Sequence, residues 1–129
     1  MRRTIALAAL LLSAIACPAQ TFRVPFCSFN GMILLDSQVN GKAATLVLDT
    51  GAIQTQIDRK FMAQRTDWSV LYVDLRLTAY RNGDFRILAT DLRQILKGIP
   101  ADGILGEDWL RSFRVVRIDY KASVIEFEK

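Results

Sequence analysis

Thr45-Leu46-Val47-Leu48-Asp49-Thr50-Gly51-Ala52 runs an apolar strand straight into a carboxylate, a hydroxyl and a glycine. A carboxylate at the end of a buried strand costs desolvation energy unless neighbouring groups hydrogen-bond it. Thr50 and the backbone N–H of Gly51 stand where they can do so. Gly51 lets the chain turn sharply and lets a second backbone or a substrate come close. A strand ending in Asp-x-Gly is, by itself, also the mark of an ordinary turn. A second stretch adds to it. Ala101-Asp102-Gly103-Ile104-Leu105-Gly106-Glu107-Asp108-Trp109-Leu110 sets an apolar pair between glycines and continues into a helix-like turn. It reads as a buried strand followed by a capped helix. Ile118-Asp119-Tyr120 and a closing strand come after it.

The rest of the composition narrows the chemistry. The chain has 129 residues, the length of one domain. With 51% hydrophobic and 23% charged residues it is a packed chain, not a disordered one. There is no histidine, which excludes Ser-His-Asp and Cys-His catalysis and every histidine-containing zinc site. Two cysteines are too few for an all-cysteine zinc site. Neither a cofactor nor a metal is expected, and catalysis is left to carboxylate, lysine or hydroxyl groups.

The pattern outside the two stretches is mostly β, with no repeat and no linker. Thr21 to Phe26 alternates as a short strand. Met32 to Val39 and Lys42 to Leu48 flank Asn40-Gly41, a strong hairpin signal because both turn positions need positive φ. Asp58 is placed to cap a short helix through Arg65. Val70 to Ala79 and Phe85 to Ala89 read as strands around a turn at Arg81-Asn82-Gly83-Asp84. Thr90 or Asp91 caps a helical turn to Lys97, with Gly98 as its stop. Asp108 to Phe113 forms a short helix, and Val115 to Ile118 with Val124 to Phe127 a last hairpin. Asp108 reads as a helix cap, Asp119 as a turn or solvent-facing residue, and Glu107, Glu126 and Glu128 as surface charge. Trp68, Trp109 and the phenylalanines read as core or interface, and Cys27 as an inert small apolar residue.

The first residues read as an export signal. Arg2 and Arg3 precede an apolar run from Ile5 to Ala16, and small-residue cleavage sites follow at Ala14-Ile15-Ala16 and after Ala19. The division expected is 1–19 as signal peptide and 20–129 as the domain. Removing two arginines from 17 basic groups leaves 15 against 13 acidic ones, so the mature charge is +2. No basic cluster interleaved with aromatics remains, and nucleic acid is not an expected partner. Cleavage leaves Cys27 alone, or Cys17 becomes a lipidated first residue, or both survive and can pair. The location expected is periplasmic or extracellular, alternatively lipid-anchored to the envelope. Membrane contact comes only through the signal peptide or an anchor at Cys17.

Taken together, Asp49 to Ala52 and Gly103 to Leu110 resemble the retropepsin-like (retroviral-type) aspartic proteases, and more closely their bacterial single-domain relatives. The resemblance spans Phe26 to Phe127. It implies a mainly β fold, a small closed β barrel with one or two short helices. It implies Asp49 as the catalytic residue, supported by Thr50, Gly51 and Ala52, and a peptide or protein substrate whose binding residues are unknown. One Asp-Thr-Gly per chain implies a homodimer with the site on its two-fold axis, because the reaction needs two carboxylates that share a proton. Thr50 would bond across that axis, and the strands at Thr21 to Phe26 and Val124 to Phe127 are candidates for the interface. Two features depart from the family. Ile53 stands where a small polar residue is usual. Only 19 residues separate Ile57 from Leu77, with no Gly-Gly tip, so the hairpin flap that closes over substrate is expected to be shortened. Arg81-Asn82-Gly83-Asp84 is the other place for a flap, though its neighbours read more naturally as a strand turn. The function expected is an exported aspartic endopeptidase. The rivals are a catalytically inactive binding or scaffold domain of the envelope on the same fold, and a lipid-anchored protein whose Asp49 is structural.

Overall fold

The computed structural model describes residues 18–129. The export-signal and Cys17 readings lie outside the described residues, apart from Pro18 and Ala19. Ten strands and one short helix follow in the order β1 (Thr21–Pro25), β2 (Cys27–Phe29), β3 (Met32–Val39), β4 (Lys42–Leu48), β5 (Gln56–Asp58), β6 (Ser69–Leu77), β7 (Tyr80–Thr90), β8 (Gly103–Leu105), α1 (Glu107–Leu110), β9 (Val115–Asp119) and β10 (Val124–Glu128). The mainly β expectation holds.

Turn chemistry explains the hairpins. Asn40 and Gly41 have φ of 51° and 79°, and β3 and β4 pair on either side. Asn30-Gly31 repeats the device at 48° and 78° and joins β2 to β3, a hairpin the sequence reading passed over. The β6–β7 turn falls at Thr78-Ala79, not at Arg81–Asp84. Those four residues lie inside β7, where the register jumps between Val73 opposite Phe85 and Leu75 opposite Asn82. The extra residue on β7 is a bulge, which raises the local twist and helps curl the sheet.

Six strands close on themselves in the order β3-β4-β8-β5-β7-β6, with β6 returning to β3. That last seam is short, Gln38 opposite Arg76 and Val39 opposite Leu75. It is reinforced where Asn40 N–H donates to the Asp74 carbonyl (2.9 Å) and Asp74 N–H donates to Asn40 Oδ1 (2.9 Å). Pairs β4–β8 and β5–β7 are parallel and the rest antiparallel, so the barrel is mixed. β2 extends β3, and β1-β10-β9 form a separate three-stranded sheet.

Strand alternation sends Leu35, Leu46, Ile57, Leu75, Ile87 and Leu105 into one core. Trp109, Phe113, Phe85 and Phe127 join it, as read from sequence. Trp109 meets Phe85 and Tyr80 edge to face at 5.1 and 5.3 Å between ring centroids, a favoured aromatic geometry. Trp68 does not join the core and is 66% exposed. Cys27 is also exposed, on the outer strand β2. The helix expected from Asp58 to Arg65 is a run of turns, and so is the segment from Arg93 to Gly98, which ends as expected on Gly98 at φ 77°. A helical turn is costly to nucleate, and the backbone bonds of these two segments do not build a continuous ladder.

Candidate active site

β4 carries Asp49 to its end, and the ladder continues one step further. Asp49 N–H donates to the Leu105 carbonyl at 3.0 Å, prolonging the parallel pairing of β4 with β8. The loop then turns on itself, with Gly51 N–H donating to Asp49 Oδ1 (2.8 Å) and Ala52 N–H to the Asp49 carbonyl (3.2 Å). The expected support of the carboxylate is therefore half met. Gly51 supplies it, and among the described residues Thr50 makes no side-chain hydrogen bond. Gly51 is not in the left-handed region, so its value is space: a Cβ there would sit 3.2 Å from Asp49 Oδ1. Asp49, Thr50 and Gly51 are exposed and Ala52 is half-buried. Ile53, directly after, is 77% exposed.

The loop is bolted down from behind by residues the sequence reading assigned otherwise. Asp108 does not cap α1. The N-cap is Gly106, with no side-chain capping bond. Asp108 instead accepts from Thr55: the Thr55 N–H reaches its two carboxylate oxygens at 3.0 and 2.9 Å, and Thr55 Oγ1 donates to Oδ1 at 2.7 Å. Gly106 N–H donates to Thr55 Oγ1 at 3.0 Å, and Glu107 N–H to the Ala52 carbonyl at 2.7 Å. Thr55 is fully buried, so these bonds replace water it no longer sees. A Cβ on Gly106 would lie 2.7 Å from the Gln54 carbonyl carbon, and one on Gly103 would lie 2.5 Å from the Gln56 carbonyl oxygen. Both glycines are required by close backbone crossing. No sequence signal marks Thr55, and the sequence marks Gly103 and Gly106 only as the flanks of an apolar pair, with the close crossing shown by the structure.

Two other segments link the barrel strands, and the second packs its Leu92 and Leu96 into a cluster that Ala52 joins. Residues 59–68, between β5 and β6, form turns and no hairpin, in keeping with the expected short flap. They are folded down by Arg59, whose guanidinium lies 3.2 Å from Asp67 and 3.8 Å from Asp91. Residues 91–102, between β7 and β8, begin at Asp91. The Arg93 guanidinium and Arg93 N–H, with a smaller contribution from Arg59, hold the Asp91 carboxyl far below the usual carboxylate range. Among the described residues no group of three or more His, Cys, Asp or Glu side chains is set to hold a metal ion.

The expected interface strands are now fixed within the chain. β1 pairs along one edge of β10 and β9 along the other. Val124 to Phe127 therefore has no open edge to offer a second copy, and the open edges of this sheet are those of β1 and β9.

No protein-family model matches the sequence, and no curated protein matches it. Solved structures do. A retropepsin-like aspartic protease from Rickettsia conorii superposes with a TM-score of 0.62 at 12% identity, over 85% of this chain and 92% of that one. The retroviral protease-like domain of Ddi1 from Leishmania major gives 0.52 at 16% identity, over 70% and 81%. The chain has the retropepsin-like fold, a closed six-strand mixed barrel with one short helix.

Proposed function

We propose that the chain is an exported aspartic endopeptidase that works as a homodimer, with Asp49 from each copy forming the reacting pair. The observation that carries this reading is the Asp49 carboxylate itself. It stands exposed at the end of β4, oriented by the Gly51 N–H, on a retropepsin-like fold. Two such carboxylates in contact cannot both ionise, so their protons come off in two steps that belong to the pair. Between those steps one carboxylate takes a proton from water as it attacks the peptide carbonyl, and the other donates to the carbonyl oxygen. Thr50, whose hydroxyl makes no hydrogen bond among the described residues, would bond across the two-fold axis.

The test is cleavage of a peptide library by the mature domain, residues 20–129, from about pH 3 to 7, beside Asp49→Asn. Activity with a bell-shaped profile that vanishes in the variant supports the dyad. Equal traces from both proteins, with circular dichroism unchanged, sink it. The second reading, an inactive binding or scaffold domain of the envelope, is favoured by the turns at residues 59–68 in place of a closing hairpin, and by Ile53.

A further inference from the structure

β6 pairs with β3 only at Leu75 and Arg76, and the bonds between Asn40 and Asp74 end that seam. From Ser69 to Val73 the strand runs on past the β3–β4 hairpin, with β7 on one side and no strand on the other. The N–H and C=O of Asp74 face β3. Successive residues of a strand send these groups to opposite sides. Those of Tyr72 and Val70 therefore face the same way as Asp74, and those of Leu71 and Val73 go to β7. Among the described residues nothing bonds the Val70 or Tyr72 backbone on the open side.

This edge is bare in its side chains too. Val70 and Tyr72 are 47% and 64% exposed, and Trp68, just before the strand, is 66% exposed. Ser69 to Val73 carry neither a charge nor a proline, the residues that ordinarily keep a free edge from pairing. The open stretch is bounded at both ends. Trp68 lies outside β6 at φ 61°, and Asp74 is already spent on Asn40. Val70 and Tyr72 are what a partner strand has to bond.

We propose that this edge takes a second copy of the chain, β6 against β6, antiparallel about a two-fold axis at Leu71. Antiparallel strands bond through residues that face each other, and strand addition at a free edge is a common recognition mode. With Leu71 opposite the partner's Leu71, Val70 falls opposite the partner's Tyr72 and Tyr72 opposite the partner's Val70. Every open N–H of the two edges then meets an open carbonyl. Moving the axis to Val70 would set Tyr72 against the partner's Trp68, which lies outside its strand. Moving it to Tyr72 would set Val70 against the partner's Asp74, which is already bonded. The side chains fit the same register. Tyr72 and Val70 make an aromatic and β-branched cross-strand pair. Trp68 comes opposite the partner's Asp74, with the exposed Arg76 on the diagonal, where a guanidinium stacks on an indole. A foreign strand would meet the backbone but would not bring this match of ends. The apolar area on offer is small beside the roughly 1,200 Å² of a stable interface, so the contact forms at high local concentration. It uses no residue of the Asp-Thr-Gly loop and stands whether or not Asp49 reacts. A chain that carries both this contact and one at Asp49 has two self-matching faces and can build beyond a dimer.

The test is amide hydrogen exchange on full-length protein, read residue by residue by NMR from about 10 μM to about 1 mM, the range of weak association. Exchange at Val70 and Tyr72 is expected to slow about tenfold across that range, while Leu71 and Val73, already bonded to β7, stay constant. Val70→Pro removes an N–H that β7 does not use and keeps an apolar side chain. It is expected to weaken the pairing about thirtyfold, because the bond is lost twice in a symmetric pair, and so to leave Tyr72 exchanging fast throughout. Exchange at Val70 and Tyr72 that ignores concentration overturns the proposal, and that reading needs no variant. Tyr72 protection in Val70→Pro equal to that in wild type overturns it as well. So does protection of both amides by a hexapeptide of alternating Val and Thr where a second copy gives none, which would make the edge a site for foreign strands. The amides of Thr50 and Gly51, followed in the same spectra, report any contact at Asp49 separately.

Discussion

Asp49 is positioned almost wholly by backbone groups: the Leu105 carbonyl behind it, the Gly51 N–H on its carboxylate and the Ala52 N–H on its own carbonyl. Backbone donors are carried by any sequence that takes this path, so what the residues must secure is the path. That duty falls on Thr55, Asp108, Gly103 and Gly106. Replacing Thr55 by Val keeps the volume but removes the hydroxyl that joins Asp108 to Gly106 N–H. Gly106 N–H is left without its partner, at about 1–3 kcal/mol, while Asp108 Oδ1 keeps the Thr55 and Trp109 N–H groups. We expect Thr55→Val to lower stability by about 1–3 kcal/mol in urea unfolding. A change below about 0.5 kcal/mol, the range of an ordinary surface substitution, would mean the network is not holding the loop. The aspartate and its glycine were legible because Asp-Thr-Gly is contiguous. Thr55 and Asp108 lie 53 residues apart and share no local signature. A Ser, Thr or Asp near a helix start reads as a cap, because capping is what such residues do when they act on their own neighbours.

At the scale of elements, turn residues proved informative where the demand is steric. Asn40-Gly41 sits at positive φ as its chemistry requires, and Gly98 stops its segment the same way. The expected turn at Arg81-Asn82-Gly83-Asp84 became a bulge because two turn-favouring clusters lie close together, and the pairing of β6 with β7 chose Thr78-Ala79. The 91–102 segment has no regular structure; hydrogen bonds tie its ends and the buried Leu92 and Leu96 hold its middle. Asp91 sits at one of those ends, its carboxylate bonded chiefly to Arg93 and 3.8 Å from Arg59, and its pH dependence has a definite sign. Its carboxyl is held below the unfolded value by Arg93 first, so its contribution is complete above about pH 4 and is lost as the pH falls toward the lowered value. The unfolding midpoints of wild type and Asp91→Asn should therefore differ from about pH 5 to 7 and converge toward pH 2. A difference that persists unchanged to pH 2 would show that the Asp91 charge is not the source of the effect.

The molecule as a whole offers one Asp-Thr-Gly and a terminal sheet in which β10 is already flanked on both sides. If Asp49 reacts as half of a pair, activity belongs to the dimer. At concentrations below its dissociation constant the dimer fraction falls in proportion to total protein, so tenfold dilution should cut the rate per chain by about tenfold. Sedimentation velocity on the same samples should show the monomer growing in step. A rate per chain that stays constant while monomer accumulates would exclude a shared site. The route to the dimer is expected to run through the β1 or β9 edge, because unpaired strand edges are what this sheet still offers.

What the chain's residues determined alone were the features that close within a few positions. These are the alternation that makes strands, the Asn-Gly turns, the Asp-Thr-Gly loop, and the apolar pair between glycines that resembled a known barrel. Each is set by local sterics or by a side chain acting on its nearest backbone. Tertiary structure decided the seam of β3 with β6, the bond from Thr55 to Asp108, the capture of both β10 edges, and the burial of Leu92 and Leu96 against Leu34, Val47 and Ile104. Those depend on which distant segments meet. Apolar burial is non-directional, so a leucine's sequence says that it will be covered but not by what.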